Sequence, residues 1–111
     1  MARKATIIAH EESSGNVFAD LGLPHEQQEL LKARLTLQIY HIIKARHVAQ
    51  AQAGAILGIR QPQVSLLMRN RSENFSVERL MDFLTALGHD VEVRVTRTRK
   101  EHGQLSVVVA A

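Results

Sequence analysis

No cysteine occurs in this chain of 111 residues. That absence excludes a disulfide framework, a Cys-ligated zinc and a thiol nucleophile, and it fits a reducing cytoplasm. Long apolar runs are missing as well, and nothing approaches the roughly 20 residues that a membrane span requires. The opening stretch, Met1 to His10, has a basic pair and then only a short apolar segment before Glu11-Glu12, which is too short for a secretory signal. No His-x-x-x-His or His-Glu-x-x-His spacing occurs among His10, His25, His41, His47, His89 and His102, so a metal site is not expected. Ser13-Ser14-Gly15 has no strand, elbow or base nearby to make it a nucleophile. The sequence therefore reads as a cytoplasmic protein without catalytic residues, metal or cofactor.

What is present is globular: 45% hydrophobic and 23% charged residues, in a length suited to one domain. The formal net charge is +3, and it is unevenly placed. Residues 1–28 carry two Lys/Arg against four acidic groups, whereas residues 29–88 carry eight against four. A positive middle attracts nucleic acid most simply.

The chain divides into an N-terminal arm over 1–28, a helical body over 29–90 and a C-terminal segment over 91–111. In the arm, Val17, Phe18, Leu21 and Leu23 are candidates for the core, and Pro24 closes it. Apolar residues at Leu31, Leu35, Ile39, Ile42 and Ile43 recur by three and four, which predicts a helix from about His25 to Arg46. Two short helices follow, over about 50–57 and 61–69, hinged at Gly58-Ile59-Arg60, with Pro62 tolerated in the first turn of the second. Ser76 is the expected N-cap of a further helix that buries Leu80, Phe83, Leu84 and Leu87 and stops at Gly88, with Phe75 placed as a hydrophobic staple against Leu80. From Asp90 the period becomes two: Val91, Val93 and Val95, then Leu105, Val107 and Val109. This predicts a β-strand or a two-stranded ribbon turning near 101–104, packed on the helices or paired with a second chain.

The segment from Gln50 to Met68 has the layout of a helix-turn-helix. Small Ala53 and Gly54 permit close approach of two crossing helices, Ile56 and Leu57 seed the joint, Gly58 turns the chain and Ile59 plugs the corner. Val64 and Leu67 face inward, leaving Gln61, Gln63, Ser65 and Met68 outward. A short helix opening with Gln and Ser can enter a major groove, where a glutamine amide pairs bidentately with adenine. Gln61, Gln63 and Ser65 are thus the candidate base contacts. Arg69, Asn70 and Arg71 are placed to clamp phosphates, and Arg60 can hold another. Arg94, Arg97, Arg99 and Lys100 form a second basic run that could touch nucleic acid, meet an acidic partner or only solubilise the tail.

The combination Gln50, Ala53, Leu57-Gly58-Ile59, Gln61-Pro62-Gln63-Val64-Ser65, Asn74-Phe75-Ser76, Leu80 and Leu87-Gly88-His89-Asp90-Val91 resembles the Xre/Cro-like helix-turn-helix family, and more closely its HigA-type antitoxins. The likeness extends back to Asn16–Pro24 and spans roughly residues 14–96. It implies a mainly α domain, a Cro/repressor-like bundle of about five helices, that forms a homodimer and binds a palindromic double-stranded DNA operator. It also implies an antitoxin that neutralises a RelE-like ribonuclease toxin and represses its own operon. By the same likeness, Gln50 holds a phosphate, and Gln61, Gln63 and Ser65 open the recognition helix. Ala49 and Arg60 stand where relatives carry hydroxyl caps, so both helices of the motif are expected to lack their usual N-caps. The alternatives are a stand-alone Xre-type regulator without a toxin, and an interaction module that binds a partner without DNA.

Overall fold

The computed structural model describes residues 25–110. Four helices follow in order: α1 (His25–Arg46), α2 (Gln50–Leu57), α3 (Gln61–Met68) and α4 (Val77–Ala86). Helix α1 packs against α4 and α3, while α2 packs against α3 and α4. The core is continuous across all four. Ile39, Val64, Leu67, Leu80 and Leu87 are fully buried, and Ile43, Phe75 and Phe83 nearly so. The staple residues Phe75 and Leu80 both lie in this core. Phe75 meets Phe83 edge to face, with ring centroids 5.6 Å apart, and the Arg79 guanidinium covers both rings at 5.6 and 5.5 Å.

Each helix ends at a residue with a left-handed backbone: His47 (φ 56°), Gly58 (φ 73°), Asn70 (φ 57°) and Gly88 (φ 88°). After α3, Asn70 N–H bonds Leu67 O at 3.0 Å and Arg71 N–H bonds Leu66 O at 2.8 Å. The pair forms a Schellman closure, which needs this conformation at its middle residue. The same pair of bonds ends α4, from Gly88 to Thr85 and from His89 to Leu84. Arg46, at the end of α1, donates to Leu87 O and so joins the C-terminal ends of α1 and α4.

The C-terminal expectation fails. No β-strand is present among the described residues, and the body has four helices there rather than about five. The chain does bend at 99–102, close to the expected turn. Its two apolar rows are nevertheless not joined by a backbone ladder. Val91, Leu105 and Val107 are half-buried against the helical core, whereas Val95, Val108 and Val109 are exposed. Alternation of apolar residues specifies which side chains share a face. A strand also needs a neighbouring backbone to pair with, and packing on helices satisfies the first requirement alone. The arm residues Val17, Phe18, Leu21 and Leu23 lie outside the described residues. Among the described residues, no helix is long and apolar enough to cross a membrane, and no cluster of side chains could hold a metal ion.

Candidate nucleic-acid interface

The α2–turn–α3 unit is built by close backbone approach. A Cβ on Gly54 would lie 2.7 Å from the Ile59 carbonyl oxygen and 3.5 Å from Val64 Cγ2. That carbonyl belongs to the turn, so glycine here sets the distance between α2 and the chain entering α3. Gly54 O also accepts from Gly58 N–H at 2.7 Å and Ile59 N–H at 3.0 Å, which closes α2. Ala53, Val64 and Leu67 are buried beneath the unit, and Ile59 packs on the core as expected. Ile56 departs from the expected joint: it is 38% exposed, and Leu57 alone turns inward. Met68 is half-buried against the core rather than outward.

Helix α3 consequently has an inner row fixed by Val64 and Leu67 and an open N-terminal end. Gln61, its first residue, is exposed, while Gln63 and Ser65 are half-buried. Pro62 sits in the first turn, where its missing N–H leaves no bond unmade. Gln50 is half-buried at the start of α2. Arg60, Arg69, Asn70 and Arg71 are exposed around α3. Asn70 supplies the left-handed residue of the helix closure, a conformation that asparagine tolerates better than most side chains. Arg69 reaches back weakly, its Nε lying 3.4 Å from Ser65 O. Arg71 pairs with Glu73 at 3.5 Å, with both side chains more than half exposed. The Glu73 carboxyl is held below its ordinary range by a hydrogen bond from its own backbone N–H, and further by the Arg71 guanidinium. A phosphate approaching Arg71 therefore competes with this carboxylate. In the tail, Arg94 is similarly paired with Glu92 at 3.3 Å.

Ala49 and Arg60 are indeed the N-cap residues of α2 and α3, and neither supplies a side-chain acceptor. The helices are not left bare, however. Ala49 N–H donates to Gln52 Oε1 at 3.2 Å, and Arg60 N–H donates to Gln63 Oε1 at 3.2 Å. These are the reverse halves of two capping boxes, in which the third residue of the helix reaches back to the cap backbone. Gln52 was not singled out from the sequence. Its signal in the sequence is a glutamine three residues after each cap position, which acts on the cap backbone whatever the side chain of the cap residue. Helix α4 has the conventional arrangement, with Ser76 Oγ accepting from Arg79 N–H at 3.1 Å.

Residues 17–96 match the family described as a helix-turn-helix domain. The chain belongs to the Xre/Cro-like helix-turn-helix family. A solved structure named "Putative XRE Family Transcriptional Regulator" is similar, with 39% identity and a TM-score of 0.74, covering 78% of this chain and all of that one. No curated protein matches. Membership makes this Xre-family protein a DNA-binding transcriptional regulator, not a catalyst.

Proposed function

We propose that this Xre-family protein binds a palindromic operator as a homodimer in the cytoplasm, and that it is the antitoxin of an operon it represses, neutralising a RelE-like ribonuclease. The observation that carries DNA reading is the polarity of α3: Val64 and Leu67 are sealed in the core, while the end bearing Gln61, Gln63 and Ser65 stays open between exposed arginines. Those three residues meet base edges in this reading, and Gln50, Arg60, Arg69, Asn70 and Arg71 hold phosphates. An interaction module that had lost DNA binding would have no use for this surface.

Residues 29–90 form the DNA-binding body. The segment over 91–111 contributes to the dimer, because Val95, Val108 and Val109 are 65%, 86% and 59% exposed and a second copy would cover them. The antitoxin assignment rests on the resemblance of the 14–96 pattern to HigA-type proteins. A stand-alone regulator is the second reading, in keeping with the name of the similar solved structure, "Putative XRE Family Transcriptional Regulator".

Co-purification of the chain with the product of its neighbouring reading frame, followed by a shift assay on its own upstream DNA, tests the proposal. A stable complex with a small basic ribonuclease and a specific shift are expected. A specific shift without any such partner leaves the stand-alone regulator. No preference for upstream over scrambled DNA refutes operator binding. Deleting residues 97–111 should abolish dimerisation; a deletion product that still dimerises refutes the role of the tail.

A further inference from the structure

We propose that Gln63 recognises an acceptor-only base edge, that of guanine, and not adenine; this rests on the operator-binding reading above. The reason is the direction in which its amide is held. The group facing Gln63 is the backbone N–H of Arg60, 3.2 Å from Oε1. A backbone N–H only donates, so the amide oxygen must be the end turned toward it, and the two ends of the amide cannot be exchanged. Arg60 has no side-chain acceptor to offer α3, so the reach of Gln63 supplies the one side-chain hydrogen bond at this helix start among the described residues. The Nε2 amino group is then the end left for a ligand, and it carries donors alone.

Bidentate recognition of adenine needs both ends of an amide, the oxygen for N6–H and the nitrogen for N7. Gln63 has turned its oxygen back to the helix. Guanine presents N7 and O6, both acceptors, to the major groove, and this is the edge that a donor-only group matches. Gln61, at the first helical position and exposed, is not bound to this cap and remains the residue for an adenine contact. The two glutamines of Gln61-Pro62-Gln63 thus read different edges, although their side chains are chemically identical.

Selection of the full chain against a randomised duplex library, run in parallel for the wild type, Gln63→Glu and Gln63→Lys, tests the assignment. Gln63→Glu keeps an acceptor for Arg60 N–H and suits the positive end of α3, but it replaces the donors by acceptors. The base column facing residue 63 should change from guanine to cytosine, whose N4 amino group donates, with a preference on the order of tenfold. Gln63→Lys retains a donor-only terminus and should keep guanine in that column, which decides the matter even if the glutamate variant fails to bind. Adenine in the wild-type column, or a motif identical in all three proteins, overturns the proposal. Absence of any wild-type motif overturns operator binding itself, and is distinguished because the wild type fails along with its variants.

Discussion

Replacing Gly54 with alanine sets two effects of opposite sign against each other. Within an exposed helix interior, alanine is favoured over glycine by about 0.5–1 kcal/mol, because glycine loses more backbone freedom on folding. Here the added methyl would lie 2.7 Å from the Ile59 carbonyl oxygen. That atom is backbone and cannot swing aside as a side chain would. The turn must move by several tenths of an ångström, against two hydrogen bonds that end on Gly54 O and against Val64, which is fully buried. Overpacking of this kind costs about 1–3 kcal/mol, so the net expectation is a loss of about 1–2 kcal/mol. In a domain of this size, that lowers Tm by roughly 4–8 °C per kcal/mol. Urea unfolding followed by circular dichroism should show a lower midpoint with an unchanged slope. Since the displaced turn leads into α3, specific DNA binding should fall more than non-specific binding. A G54A protein that is stabilised by the bare helix-propensity difference, with unaltered DNA binding, would refute the argument that close approach at this position sets the geometry of the motif.

Other substitutions test other parts of the fold and site. Thr36 is fully buried in α1 and its hydroxyl has no hydrogen-bond partner among the described residues; Thr36→Val keeps the shape and should stabilise the protein by about 1 kcal/mol in urea titrations, whereas a loss of stability would show that the hydroxyl is satisfied. Glu73→Gln removes the carboxylate that competes for Arg71 and should tighten DNA binding at low salt, by an amount that added salt screens away; weaker binding in a titration would contradict that competition. The lowered carboxyl of Glu73 gives the matching pH dependence, with the Arg71–Glu73 attraction present above the ordinary carboxylate range and lost as pH falls through the lowered value. DNA affinity measured down that range should rise in the wild type relative to Glu73→Gln, and parallel profiles would exclude this pair as the cause. Gln61→Ala should weaken specific binding by about 1–3 kcal/mol without a change in Tm, and equal affinity of both proteins for cognate and scrambled duplexes would remove its role.

Much of the helical body follows from local rules. The four-residue spacing of Leu31, Leu35, Ile39 and Ile43 placed α1 and its buried face, and the same residues fill the core. Gly58 at the turn, Pro62 in the first turn of α3 and Gly88 after α4 each mark a backbone condition that few other residues meet, and each stands where the pattern put it. The open side of α3 was legible for the same reason: a helix whose Val64 and Leu67 point inward has no choice about where Gln61 points.

The sequence by itself determined the helix-turn-helix, its core and the polar end it presents, because periodicity and backbone conformation are local properties. Tertiary structure alone decided the rest. Whether 91–109 pairs as strands depends on a neighbouring backbone, and the half-buried Val91, Leu105 and Val107 pack on helices instead. Which end of the Gln63 amide faces outward is, by contrast, a local matter, set by the Arg60 N–H three residues before it, although the sequence lists only the possibility and the folded helix start makes the bond. A residue type lists the hydrogen bonds a side chain is able to make, and only the folded surroundings determine which of them are already taken.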